Sequence, residues 1–277
     1  MVKLSLKELQ MKSTEARKLV IDTVYHAGAG HIGGPMSAVD LLINLYFNEL
    51  NIFPEDPLAE NRDRFVLSKG HSAVALYSVL ALRGFFPIEE LKTFDAIDSR
   101  LQAHPDMKAL PGLDMSTGSL GQGISAAVGI ALGAKLQNKS FRTYCMIGDG
   151  ESQEGQVWEA SDIASKYGLD NLVVILDYNK LQQFGWNGEN QLRQEPIINP
   201  RERWVAFGWY VIEIDGHDHE QIKKAFNEAR SIKGKPTIII ANTVKGKGVS
   251  FMENDYMWHS RVPTKQEYVE AIQQLGG

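Results

Sequence analysis

The run Leu172-Val173-Val174-Ile175-Leu176 has no polar member, and that constrains the fold more than any other feature of the chain. A strand with one wet face alternates apolar and polar residues. A strand that is apolar throughout is covered on both faces, the condition of a parallel sheet sandwiched between helices. Short strands of this kind are predicted at 64–67, 142–147, 171–177, 209–214 and 236–243. Between and around them the apolar residues recur at helical spacing. Leu6, Leu9, Ala16, Leu19, Val20 and Val24 mark a first helix over about 5–27. Further helices are predicted from Ser37, as N-cap, to about 50, and at 72–83, 88–94, 122–138, 156–167, 200–207, 218–232 and 264–274. A glycine-rich loop (28–34), a turn (68–71) and an irregular stretch (99–120) interrupt the pattern. No repeat, low-complexity tract or linker divides it, so residues 1–277 read as one α/β domain, a three-layer α/β/α sandwich around a mainly parallel sheet.

Composition removes several classes. The chain is 43% hydrophobic and carries a formal charge of −5, without the clustered Lys and Arg of a nucleic-acid groove. Lys233-Gly234-Lys235 and Lys245-Gly246-Lys247 are short basic pairs that read as solvated loops. No stretch of about 18 apolar residues predicts a membrane span, and the amphipathic start lacks an apolar signal core. A cytoplasmic protein is expected. The single cysteine, Cys145, lies in the apolar run Tyr144-Cys145-Met146-Ile147 and reads as a small buried hydrophobe.

The chemistry concentrates in loops. Met146-Ile147-Gly148-Asp149-Gly150 is a strand that stops at a Gly-Asp-Gly turn, and Asn179 follows the next strand 30 residues later. One strand–helix–strand unit of that length returns the chain to the same sheet edge. Asp149 and Asn179 should then stand side by side at the carboxyl ends of two strands, where open α/β sheets bind ligands. A carboxylate, an amide oxygen and a nearby backbone carbonyl suit a hard divalent cation that also grips a phosphate. Gly-Asp-Gly alone would serve equally as a strand-end turn with a surface aspartate; Asn179 at this spacing favours the cation. His31, His71 and His104 all fall in Gly- or Pro-containing loops, where imidazoles can exchange protons near neutral pH. His26, His217 and His219 read as structural or exposed. Two glycine patterns, Gly28-x-Gly30-x-x-Gly33 and Gly121-x-Gly123-x-x-Ala126, match dinucleotide fingerprints but lack the preceding strand such a site requires.

Gly148-Asp149-Gly150 with Asn179 resembles the thiamine diphosphate motif shared by transketolases, 2-oxo-acid dehydrogenases and their relatives. The runs Ala29-Gly30-His31-Ile32-Gly33-Gly34, Ser68-Lys69-Gly70-His71, His104-Pro105-Asp106, Ser116-Thr117-Gly118-Ser119-Leu120-Gly121-Gln122-Gly123, Gly150-Glu151-Ser152-Gln153-Glu154-Gly155 and Lys245-Gly246-Lys247-Gly248 narrow the resemblance to transketolase, in order from about residue 10 to 270. The resemblance implies the thiamine diphosphate-binding fold, with thiamine diphosphate and Mg2+ (or Ca2+ or Mn2+) as cofactors. It implies that Asp149, Asn179 and the Leu181 carbonyl hold the metal, and that the Gly150 amide, His71 and His259 contact the diphosphate. Gly118 would accept a hydrogen bond from the cofactor's amino group, with Leu120 packed beside it. His31, His104 and His259 would line the sugar channel, and Glu154 would join a carboxylate network between paired sites.

The resemblance also implies what the chain lacks. Thiamine enzymes need a second domain that buries the aminopyrimidine and supplies an activating glutamate, and no residues remain here to form it. The expectation is the amino-terminal subunit of a split transketolase that works on small sugars. Its partner would be a separate carboxyl-terminal subunit, with two copies of each chain. Alternative readings are a member chain of a 1-deoxyxylulose-5-phosphate synthase-like or 2-oxo-acid dehydrogenase-type enzyme, or a non-catalytic cofactor-holding chain. Asp95 stands where the family usually has a phosphate-binding arginine shortly after the motif matched by Leu91 to Phe94. Arg100 is the candidate substitute, and a phosphorylated substrate is thereby put in question.

Overall fold

In the computed structural model, which describes residues 3–183 and 195–276, five strands form one all-parallel sheet in the order β1-β2-β3-β5-β4. They are β1 (Arg64–Leu67), β2 (Thr143–Gly148), β3 (Leu172–Tyr178), β4 (Tyr210–Asp215) and β5 (Thr237–Asn242). Successive side chains of each strand enter opposite cores. Val66, Cys145, Ile147, Val174, Leu176, Ile238 and Ile240 face one way; Leu67, Tyr144, Met146, Val173, Ile175 and Ile239 face the other. This is the two-sided burial that the continuous apolar runs predict, and Cys145 is one of its wholly buried members.

Helices α1 (Leu6–Ala27), α2 (Gly33–Asn44), α3 (Ala73–Arg83) and α7 (His219–Ser231) cover the second face, with α8 (Lys265–Gln274) packed on α1. Helices α4 (Gln122–Leu136), α5 (Gly155–Lys166) and α6 (Pro200–Ala206) cover the first. Ser5 caps α1 in a reciprocal box with Glu8, and Thr264 does the same for α8 with Glu267, which satisfies backbone donors that a helix start otherwise leaves free. No helix among the described residues is long and apolar enough to cross a membrane.

Some local expectations are corrected. Ser37 is not an N-cap: α2 begins four residues earlier, at Gly33, and Pro35 sits in its first turn, where a missing N–H costs nothing. Ser37 is therefore an interior, fully buried residue whose hydroxyl is free for other work. The helix also does not run on as α-helix to residue 50 but ends in a π-helical turn, Leu45–Glu49. The 88–94 segment forms a 3-10 helix, Ile88–Thr93, rather than an α-helix.

The amino end of α4 sits against the turn after β1 at backbone distance. A Cβ placed on Gly123 would lie 2.7 Å from Ser68 Cα, so nothing larger than glycine fits without moving one of the two segments. Gly123→Ala is expected to destabilise the fold by about 1–3 kcal/mol through overpacking. Chemical denaturation of the variant measures it, and an unchanged midpoint would show that the turn and α4 separate freely.

Candidate active site

The carboxyl ends of four strands converge on one cavity of about 490 Å³. Lys69 follows β1, Asp149 follows β2, Asn179 follows β3 and Lys245 follows β5. In register, Gly148 pairs with Asp177, so the segments that follow β2 and β3 leave the sheet side by side, as the 30-residue spacing predicts. His31, His71, His104, Gly118, Leu120, Asp149, Gly150, Glu154, Asn179, Leu181 and His259 all line this cavity. Residues drawn from loops far apart in the chain thus meet in one place.

Asp177, one residue before the end of β3, organises the floor. It is fully buried and accepts from Lys69 Nζ at 2.5 Å, Ser37 Oγ at 2.6 Å and Thr243 Oγ1. Burial pushes its carboxyl up, but the Lys69 ammonium and three hydrogen bonds bring it below the usual carboxylate range. A second buried carboxylate, Glu151, accepts from Ser68 Oγ at 2.5 Å, Gly121 N at 2.9 Å and Gly148 N at 3.0 Å. It fastens the turn after β1, the start of α4 and the end of β2 together.

Asp149 is 2% exposed, and no ion pair reaches it among the described residues. Among the described residues its oxygens accept from the backbone N–H groups of Gly150 (2.8 Å) and Lys180 alone. Burial, with Asp177 nearby, raises its pKa to about 7. A buried carboxylate with no ion-pair partner in contact can be satisfied by a cation. Asn179 Oδ1 turns toward its own loop, accepting from Leu181 N at 3.1 Å. The donors gathered here are all oxygens, Asp149 and Asn179 by side chain and Leu181 by carbonyl, the set a hard divalent ion takes. The chemistry of these groups suits such an ion.

The opposite wall is imidazole. The His31 ring centroid lies 5.2 Å from that of His71, 6.1 Å from His104 and 5.1 Å from His259. His104 is exposed on the rim and lies against Gly118; Glu154 is exposed at the start of α5. Burial, then positively charged neighbours, lowers His31 to about 4 and His259 to about 3, and holds His71 well below its ordinary value. These three rings are neutral at pH 7, so each carries one N–H donor and one acceptor nitrogen.

Sequence reasoning misses the two lysines. Lys245 is not in a solvated loop: it is 1% exposed, and its Nζ reaches His259 Nδ1 at 2.9 Å and the carbonyls of Leu181 and Gln182 at 3.4 Å. Burial, then the nearby Lys69 charge, lowers its pKa to about 8. Lys69 is equally buried. The signal that could find them is position, since both lysines sit in glycine-containing turns directly after strands. Arg100, the suggested phosphate ligand, is instead held by both oxygens of Glu90, at 2.5 and 2.9 Å. No arginine lines the cavity among the described residues. Asp95 adopts a left-handed backbone (φ 59°) and accepts from Ala103 N at 3.3 Å.

The family model described as "Transketolase, thiamine diphosphate binding domain" matches residues 9–277. The chain belongs to the transketolase family. Its relatives include the 6-deoxy-6-sulfo-D-fructose transketolase subunit SqwG of a Clostridium species, 44% identical over 97% of this chain and 96% of that protein. One of the subunits of the apulose-4-phosphate transketolase of Phocaeicola vulgatus is 40% identical over 98% and 95%. Human transketolase is 42% identical over 97% of this chain, which spans only 42% of the human protein. The crystal structure of transketolase from Campylobacter jejuni superposes with a TM-score of 0.90 at 35% identity, covering 99% of this chain and 43% of that one. The cavity therefore lies in the thiamine diphosphate-binding, amino-terminal part of a transketolase-type enzyme.

The depressed histidines give the transketolase site a pH signature. In the unfolded chain they take up protons near pH 6.5; in the fold His31 and His259 do so only near 4 and 3. Below pH 6.5 the unfolded state therefore binds more protons, and stability falls as pH drops from about 6.5 toward 3. The ligand-free chain should lose denaturation midpoint across that window, and a His31→Gln/His259→Gln double variant should lose less. Parallel slopes for the two proteins would remove these rings as the cause.

Proposed function

We propose that this chain is the thiamine diphosphate-side subunit of a two-chain transketolase, transferring a two-carbon ketol unit from a ketose to an aldose. A separate chain would supply the pyrimidine-side domain and the activating glutamate, with two copies of each chain in the assembly. The observation that carries the reading is the cavity itself, where the buried Asp149 with Asn179 and Leu181, two buried lysines and four histidines meet around the ends of parallel strands. Support for the division into two chains comes from relatives named as single transketolase subunits, matched over 95–96% of their own length.

Asp149 and Asn179 would hold Mg2+ through side chains and Leu181 through its carbonyl, and the ion would supply positive charge for the diphosphate. His71, His259 and the Gly150 amide would face the diphosphate. The Gly150 N–H now bonds Asp149 Oδ1, so a contact there replaces an existing bond. Gly118 would accept from the cofactor's amino group beside Leu120. Thiamine diphosphate, when bound, supplies the electron sink for cleavage of the sugar's carbon–carbon bond. His31, His104 and His259 would bind the hydroxyls flanking that bond, and a neutral ring with a free acceptor nitrogen can take a hydroxyl proton as the bond breaks. Glu154, open on the rim, would meet acidic groups across the assembly. Relatives are named for a sulfonated and a phosphorylated sugar. With Arg100 paired to Glu90 and Asp95 nearby, a terminal anionic group on this chain's substrate would be gripped by the partner.

The purified chain alone should be inactive and bind thiamine diphosphate weakly, with both properties gained on adding a pyrimidine-side subunit. Ketol transfer by the chain shown by mass spectrometry to be free of any partner would overturn the split-enzyme reading. In the assembled enzyme, Asp149→Ala should weaken thiamine diphosphate and magnesium binding about 30- to 3,000-fold, the usual cost of removing one member of a desolvated charge pair. Unchanged affinities by calorimetry would sink the metal assignment.

A further inference from the structure

The turn between β4 and α7 places His217 where the catalytic reading has no use for it. Its Nδ1 lies 2.7 Å from Asp40 Oδ2, and its Nε2 lies 2.9 Å from the backbone nitrogen of Val244. Asp40, midway along α2, is 2% exposed and also receives both terminal nitrogens of Arg17, at 3.1 and 2.6 Å. Burial pushes the Asp40 carboxyl up, but the Arg17 guanidinium and the His217 bond bring it well below the usual range. An ionised Asp40 only accepts, so Nδ1 of His217 carries the proton. Val244 N–H only donates, so Nε2 is the bare nitrogen. Both neighbours demand the same neutral tautomer.

Val244 is the residue before Lys245. The backbone around it is held at several other points: Thr243 N donates to Tyr178 O (3.2 Å), Gly246 N to Gly33 O (2.9 Å), and Lys245 O accepts from Asn254 N (3.0 Å). Side chains add to that set: Thr243 Oγ1 donates to Asp177, Gly248 N donates to Glu253 Oε1 at 3.0 Å, and the His217 bond holds the Val244 amide. It fixes the peptide from which Lys245 reaches 2.9 Å to His259 Nδ1. Lys245 in turn, donating to Nδ1, leaves His259 Nε2 as the ring's N–H donor.

We propose that His217 is a positioning residue, which, held by Asp40 in its Nδ1–H tautomer, locks the Val244 amide and so sets the reach of Lys245 and the tautomer of His259 in the cavity. The effect on ligand binding rests on the preceding reading of the cavity as the diphosphate site; the effect on the Val244 amide does not. A merely structural histidine would matter through Asp40, whereas a positioning one matters through Val244, and two substitutions separate these. Glutamine places its amide where Nε2 lies and can accept from Val244. Asparagine places its amide where Nδ1 lies and can keep only Asp40. Both leave the Arg17–Asp40 pair in place.

Hydrogen exchange of the 243–248 segment in the full chain should show a protected Val244 amide in the wild type and in His217→Gln, with protection lost in His217→Asn. In the enzyme assembled with its partner, thiamine diphosphate with magnesium should bind His217→Gln within about 2-fold of wild type and His217→Asn about 10-fold more weakly, the scale of one lost hydrogen bond. Nitrogen-15 shifts of the wild-type ring should report Nδ1–H and an unprotonated Nε2. Protection retained in His217→Asn, or the opposite tautomer in the wild type, overturns the proposal. If the wild-type assembly binds no thiamine diphosphate while the amide pattern holds, the functional reading fails and the positioning role stands.

Discussion

The buried ion pair between Lys69 and Asp177 is the constraint on which the rest of the site depends. A lysine 1% exposed and an aspartate 0% exposed can remain charged only because they meet each other and because Ser37 and Thr243 fill the aspartate's remaining acceptor positions. Losing one partner of such a pair costs about 3–5 kcal/mol, because the other is stranded without water. The four groups belong to α2 and to the ends of β1, β3 and β5. Satisfying one carboxylate therefore fixes the relative positions of four segments that carry the cavity. The pair also sets the local field. Asp177 is neutralised by Lys69, whereas Asp149 close by accepts, among the described residues, from backbone N–H groups alone.

Glu151 repeats the device on the other side of the cavity, with Ser68 and two backbone amides in place of a lysine. The two carboxylates divide the labour of holding loops that have no regular structure of their own. Loops are normally the mobile part of an α/β fold. Here the segments that would touch a ligand are tied down from beneath, while His104 and Glu154 stand exposed on the open rim. The chain spans about 42–43% of the human and Campylobacter jejuni transketolases.

The sheet is legible in the sequence because two-sided burial writes itself directly into residue order: Leu172 to Leu176 can be nothing but an interior strand or a short buried helix, and the length of the run decides between them. Asp149 and Asn179 are legible through their spacing. Lys245 is not, because a lysine beside a glycine reads the same whether its ammonium meets water or a histidine. What packs against it is Gly33, more than two hundred residues away, beside the Trp258 carbonyl. Ser37 misleads for a related reason. A serine ahead of an apolar run is a good cap, yet Gly33-Gly34-Pro35 starts the helix first, and only the fold reveals that the hydroxyl is reserved for Asp177. His217 and His219 lie outside the cavity, in keeping with a structural reading, but no pattern in the chain hints that they share Asp40.

The strand order has a consequence for synthesis. Among the described residues β1 finds its one sheet neighbour in β2, which begins about 75 residues later along the chain, and at ribosomal speeds of about 5–20 residues per second that separation is several seconds long. Throughout that interval α1, α2 and α3 can pack on one another, but the apolar faces meant for Tyr144, Met146, Val173 and Ile175 have nothing to close against. A nascent chain of this topology leaves those apolar faces uncovered until β2 and β3 have been made.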